Sequence, residues 1–313
     1  MKLLHMTDVH FLRSPGVAGS IGKRTLGLVN LKVLGREHYF DADGIVPLAI
    51  ADALEHAPDL FVMTGDMTAL SVEEEFVAAR AAFAPLLESL PSVVVPGNHD
   101  IYTSGAMRDA RMERHFGPWM GGGTWDPQRK EWVGRAQPAN GDPMPWPVRF
   151  RFGGVDVIAT NPCKPGLRAY GRFGDGAIAR AEALVRESRG DGQAVIYLLH
   201  YPVLEPGGLP YTHGGHCLRD LPELLESLRR APPDAILHGH KHIAFREQLR
   251  VDAERAVPIF GCGSTSAASP LPNRAAGYYL IDVGAGGVAG AQRRRFDLEQ
   301  RTFVPFPELS DPI

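Results

Sequence analysis

The chain has 313 residues, of which 44% are hydrophobic and 22% charged, a globular composition that can bury its own core and excludes general disorder. With 33 Lys and Arg against 36 Asp and Glu, the net charge of −3 offers no general attraction for nucleic acid or an anionic membrane. No apolar run approaches the roughly 18 residues a membrane span needs.

The first element is an unbroken apolar run over Lys2–Met6 that stops at Thr-Asp-Val-His. Asp8 falls where a secretory leader would need apolar residues, so the chain is expected to begin at Met1. A helix is predicted over residues 47–57 behind Pro47, then a strand over 59–63 ending in Thr-Gly-Asp. Residues 71–90 read as a helix opened by a Ser71-x-x-Glu74 capping box and kinked at Pro85. The next strand, 92–95, runs into Pro-Gly-Asn-His-Asp. Residues 117–147 then concentrate glycine, proline and all four tryptophans, Trp119, Trp125, Trp132 and Trp146. Such a stretch suits neither a regular helix nor a central strand. It reads as a loop with its own small aromatic core, or as a lid over an active site.

Beyond it, Val148–Phe152 turns through Gly153-Gly154 into a strand at 155–160. Residues 177–188 form a helix behind an Asp175 cap, 194–199 a strand before His200, and 220–230 a helix with Leu221, Leu224, Leu225 and Leu228 at helical spacing. Residues 234–237 form a strand before His238-Gly239-His240-Lys241-His242. Strands without helices follow at 257–260, 278–283 and 291–298, and the basic run 293–295 reads as a solvated strand face. Cys163, Cys217 and Cys262 lack paired spacing, which points to small buried thiols and a reducing cytoplasm.

Short apolar runs of this kind are strands buried on both faces, so layers must cover them. The expectation is an α/β fold, residues 1–313 forming one domain. Five strands end in polar residues, and the carboxyl ends of such strands are where α/β sheets bind ligands. The residues there are Asp8 and His10, Asp66, Asn98-His99-Asp100, His200, and His240 with His242. Carboxylate, imidazole and amide oxygen without thiolate are donors for a borderline-to-hard divalent ion, such as manganese, iron, zinc or cobalt. Alternation along an extended segment would aim Asp8 with His10, and His240 with His242, at one site. Glycines beside Asp66, Asn98 and His240 permit tight turns and close backbone approach.

The ordered set D-x-H, G-D, G-N-H-D, H and G-H-x-H resembles the calcineurin-like metallophosphoesterase superfamily over residues 1–265, every motif being intact. Within it the chain is similar to bacterial cyclic-nucleotide and glycerophosphodiester phosphodiesterases. The resemblance implies a four-layer αββα sandwich of two mixed sheets, with the metal site at the strand carboxyl ends. It implies that Asp8, His10 and His242 hold one metal, that Asn98, His200 and His240 hold a second, and that Asp66 bridges them. His99 would sit near the leaving group with Asp100 orienting its imidazole. The implied reaction is in-line attack of a metal-bridging hydroxide on a small soluble phosphodiester. A phosphomonoesterase, nucleotidase or pyrophosphatase is the alternative, with a nuclease or a non-catalytic scaffold behind it. Two divalent ions less two carboxylates leave about +2, which attracts phosphate. The diester preference also leans on the apparent lack of extra cationic phosphate clamps. His213, His216 and Arg13 are candidate substrate contacts, and the partner is expected to be a small phosphate ester, with no membrane and no nucleic acid.

Overall fold

In the computed structural model, residues 1–13, 39–136, 144–166, 169–212 and 215–309 are described here. The chain order is β1 (Lys2–Met6), α1 (Ala42–Glu55), β2 (Leu60–Met63), α2 (Glu73–Leu87), β3 (Ser92–Val94), α3 (Ser104–Arg108) and α4 (Arg111–Phe116). Next come β4 (Gly123–Asp126), β5 (Glu131–Val133), β6 (Val148–Phe152), β7 (Val155–Ala159), α5 (Ala177–Gly190), β8 (Ala194–Leu198) and α6 (Leu221–Arg230). The chain closes with β9 (Ala235–His238), β10 (Ala244–Arg250), β11 (Ala256–Cys262), β12 (Gly277–Gly284), β13 (Gly287–Asp297) and β14 (Thr302–Pro305).

Two sheets form, one in the order β14-β13-β12-β1-β2-β3 and the other β10-β11-β9-β8-β7-β6-β4-β5. Both are mixed: β1, β2 and β3 are parallel, as are β7, β8, β9 and β11, while β12 to β14 add antiparallel strands. The apolar runs explain the layering. In β2, Leu60 and Val62 face the other sheet while Phe61 and Met63 face α1 and α2. In β8, Ala194, Ile196 and Leu198 face inward while Val195 and Tyr197 meet α5 and α6. Successive side chains point to opposite faces, so a run with no polar residue is buried on both. The result is the expected four-layer sandwich, a sheet pair with helices outside each. The three adjacent parallel strands β1 to β3 and the pair β8 and β9 deliver their carboxyl ends to one edge.

Local details differ from the sequence reading. Helix α1 starts earlier, behind Asp41, whose side chain accepts the Gly44 N–H at 2.9 Å, so Pro47 lies within it. Helix α2 starts at Glu73. Ser71 takes a left-handed backbone (φ 49°), and the carboxylate that caps the turn is Glu75, receiving the N–H groups of Leu70 at 2.9 Å and Val72 at 3.2 Å. Pro85 lies inside its last turn. Helix α5 is preceded by Gly176 at φ 68°, and Asp175 does not cap it. The basic run is not a solvated face: Arg293 is fully buried and donates to the Ala275 carbonyl at 3.0 Å. Arg294 forks onto Asp52 of α1, which ties β13 to the helix layer.

Part of the Gly/Pro/Trp stretch is regular. β4 and β5 form a hairpin on the edge of the second sheet, where prolines are tolerated. Trp132 packs edge-on against Trp125 and Phe150 and donates its indole N–H to the Ser92 carbonyl at 2.9 Å.

Candidate metal centre

The five motifs sit on the loops that leave β1, β2, β3, β8 and β9, and their side chains meet. Asp8, His10, Asp66 and His242 bring one donor atom each to within 4.8 Å of one another, and Asp66, His200 and His240 form a second such group. Asp66 belongs to both. Its Oδ2 lies 3.3 Å from His200 Nε2 and 3.8 Å from His10 Nε2, while its Oδ1 accepts the His99 backbone N–H at 2.7 Å. One oxygen therefore faces both groups and the other is held by the backbone. Asn98 joins the second group, its Oδ1 lying 3.1 Å from His200 Nε2 and 2.9 Å from His240 Nδ1.

The expected extended geometry of the paired ligands is replaced by turns. Asp8 (φ 52°), His10 (φ 53°), Asp66 (φ 55°), His240 (φ 74°) and His242 (φ 52°) all occupy the left-handed region. Asp and His tolerate it better than most side chains, but each instance costs energy and persists where its surroundings over-determine it. Turning the backbone, rather than alternating it, aims each pair inward. Two glycines make the loops touch: a Cβ on Gly97 would lie 2.1 Å from Asp66 Oδ1, and one on Gly239 would lie 2.1 Å from Asp8 Oδ2.

Each imidazole has a defined orientation. His200 Nδ1 lies 2.7 Å from the Thr64 carbonyl and His240 Nε2 2.9 Å from the His216 carbonyl. A carbonyl only accepts, so these nitrogens carry protons, and the inward-facing Nε2 and Nδ1 are the atoms that offer lone pairs whenever the rings are neutral. His10 Nε2 and His242 Nε2 face each other at 2.9 Å, and His242 Nε2 lies 3.1 Å from Asp8 Oδ1. Asp8 Oδ2 is anchored by the Thr7 hydroxyl at 2.7 Å and the His240 N–H at 2.8 Å. Burial, reinforced by the neighbouring imidazoles, pushes His10 and His240 well below the usual histidine range. Burial also opposes charging His200, but the adjacent Asp66 carboxylate outweighs it and lifts His200 to about 9. A proton and a cation thus compete for the same His200 lone pair. Imidazoles, an amide oxygen and two buried carboxylates gathered around one Asp66 oxygen fit a pair of divalent ions, which would displace the His200 proton.

His99 borders this cluster. Its Nδ1 lies 2.7 Å from the Ala69 carbonyl, and Tyr102 stacks on its ring at 5.3 Å. The expectation that Asp100 orients His99 is overturned. Asp100 accepts the Gly97 N–H at 2.9 Å, the Thr68 N–H at 2.9 Å and the Thr68 hydroxyl at 3.1 Å, so it clasps two ligand loops together instead. Burial and then the Asp66 charge raise Asp100 to about 7.

The cleft over the cluster, about 260 Å³, is lined by Asp66, Asn98, His99, Ala169, Tyr211, His216, His240, Lys241 and His242. His216 is placed there as expected, and His213 lies outside the described residues. Arg13 is not: its guanidinium grips Asp43 of α1 at 2.7 and 2.8 Å, and that hydrogen-bonded carboxylate raises its pKa. Lys241 and Tyr211 were missed in the sequence reading, although Lys241 stands inside the G-H-x-H motif where a variable residue draws no attention. The described residues of the tryptophan-rich stretch line a separate groove with Leu87 to Pro91, sharing no residue with this cleft.

A family model described as calcineurin-like phosphoesterase matches residues 1–244, and the chain belongs to that family. Among solved structures it is similar to purple acid phosphatase PPD1 from yellow lupin (Lupinus luteus) seeds, with a TM-score of 0.55 and 12% identity over 97% of this chain and 52% of that one. A dimetal phosphatase from Danio rerio gives 0.53 and 11% over 93% and 94%. A 5′-nucleotidase precursor from Thermus thermophilus gives 0.51 and 13% over 100% and 56%. The chain thus spans about half the length of the lupin phosphatase. These likenesses establish the fold. No curated protein matches the chain.

Proposed function

We propose that this chain is a two-metal hydrolase of small soluble phosphate esters. The observation that carries the reading is Asp66 Oδ2 standing between two groups of imidazoles, with Asp8 on one side and Asn98 on the other. When bound, two divalent ions supply Lewis acidity toward phosphoryl oxygens and make water nucleophilic near neutral pH. The protein's own contribution is to orient those donors, through the Thr64 and His216 carbonyls and the Thr7 hydroxyl. His99, with Nδ1 committed to Ala69, directs Nε2 as the hydrogen-bond partner of the leaving oxygen. Asp100 is a positioning residue for the loops carrying Asp66 and Asn98.

A cleft of about 260 Å³ is smaller than most ligand pockets and suits a phosphate with a small substituent rather than a polynucleotide. No helix among the described residues is long and apolar enough to cross a membrane, and the free thiols of Cys163, Cys217 and Cys262 support a reducing, cytoplasmic setting. A diester preference is the first reading. Lys241 in the cleft wall favours the second, a monoester, nucleotide or pyrophosphate, and the phosphatase and nucleotidase names of the fold relatives lean the same way. Initial rates on p-nitrophenyl phosphate and bis-p-nitrophenyl phosphate, with chelated protein reloaded with manganese, zinc, cobalt or iron, separate the classes. Chelator-sensitive turnover of either supports the hydrolase; no turnover of either ester with any ion overturns it.

A further inference from the structure

Lys241 is the only lysine or arginine among the described residues lining the cleft, and it has no carboxylate partner among them. Its backbone is pinned between two cluster histidines, the Lys241 N–H donating to the Gly239 carbonyl at 2.9 Å. Its ammonium lies 4.2 Å from the centre of the Tyr211 ring and donates to the Tyr211 hydroxyl at 3.2 Å. Tyr211 is itself rigid: 5% exposed, with its N–H on the Val203 carbonyl at 3.2 Å. An ammonium has three N–H donors, so two remain for something in the cleft. Asp66, the only acid among the described residues lining that cleft, already faces the imidazoles on both sides.

We infer that Lys241, seated on Tyr211, is a specificity residue that binds a second anionic group of the substrate. The inference rests on the proposed hydrolase and deepens it. The phosphate that reacts would be held by the ions that Asp66 and the imidazole groups bind, with His99 at one side. A lysine clamped to a buried tyrosine does not swing in to share that phosphate. It reads a charge further along the same ligand. The class this fits is a phosphate ester carrying another phosphoryl group or a carboxylate, a point charge being well suited to either. The interaction would be lost by a neutral diester arm, which gives the cleft a reason to discriminate.

The test uses ligands that are not turned over. Metal-loaded protein is titrated by calorimetry with methylphosphonate, methylenediphosphonate and phosphonoacetate. The wild type should bind at least one of the doubly charged ligands more tightly than methylphosphonate. Lys241→Met should lower that preference about tenfold, the scale of a charge-assisted contact, and Lys241→Arg should keep most of it. Loss with methylenediphosphonate identifies a second phosphoryl group, and loss with phosphonoacetate a carboxylate. If Lys241→Met weakens all three ligands by one factor, or none, the inference fails. Absence of metal-dependent ester hydrolysis in the wild type would instead strike at the proposed function, because the binding comparison does not depend on turnover.

Discussion

The loops at the metal cluster and the tryptophan-rich edge hairpin are built on opposite principles. In the first, five ligand-bearing residues hold left-handed backbones and buried imidazoles crowd two carboxylates, an arrangement that costs stability and gains chemistry. In the second, Trp132 fills space between Trp125 and Phe150 and satisfies its one polar atom on Ser92, an arrangement that gains stability and lines a groove sharing no described residue with the cleft. Irregular sequence therefore has two meanings in this chain. At strand carboxyl ends it marks the site, and at a sheet edge it marks packing.

Substitutions should separate the two regions. Of the substitutions that leave the cluster's ligands in place, the largest effect is expected for His99→Ala, which should reduce kcat on p-nitrophenyl phosphate by about 10²- to 10⁴-fold, with metal content retained by elemental analysis. Equal loss of metal would mean that His99 is a ligand rather than a partner of the leaving oxygen. Gly239→Ala places a methyl 2.1 Å from Asp8 Oδ2. It should weaken metal binding by about tenfold or more and lower the thermal midpoint, the displaced carboxylate being part of the cluster. On the other side of the comparison, Trp132→Phe should cost about 1–2 kcal/mol of unfolding free energy in urea, through the lost indole hydrogen bond and contact, while kcat stays within twofold. A large drop in kcat there would join the two regions.

The smallest effect concerns pH. Glu182 is held down to about 2, chiefly by its hydrogen bonds to Arg230 and despite partial burial, with Arg186 adding to the effect. A carboxyl depressed in the folded state stabilises it above the unfolded value near 4.5, and that contribution is lost as pH falls toward 2. Glu182→Gln should flatten this part of the stability–pH curve slightly, since both arginines are half exposed. An unchanged slope would show that the pair contributes nothing.

Much of this was legible in the sequence because the pattern is local. Unbroken apolar runs gave β1, β2, β3, β8 and β9 to within a residue or two at each end, and the residues that follow them are those that meet at the site. What could not be seen depends on tertiary partners. The Asp100 carboxylate turns away from its neighbour His99 to Thr68 and Gly97, and Arg293 disappears beneath β13, because contacts decide both. β4 and β5 are too short to show alternation, and they exist because β6 offers an edge. Lys241 has no motif signature; only Tyr211, thirty residues earlier, gives it a place.

The shared oxygen of Asp66 is the centre of the account, and metal stoichiometry tests it most directly. Chelated protein reloaded with manganese, cobalt or zinc and then desalted should carry about two ions per chain by elemental analysis. Asp66→Asn should carry fewer than one and lose at least about 10³-fold in hydrolysis. Two ions retained by Asp66→Asn, with activity near that of the wild type, would contradict it.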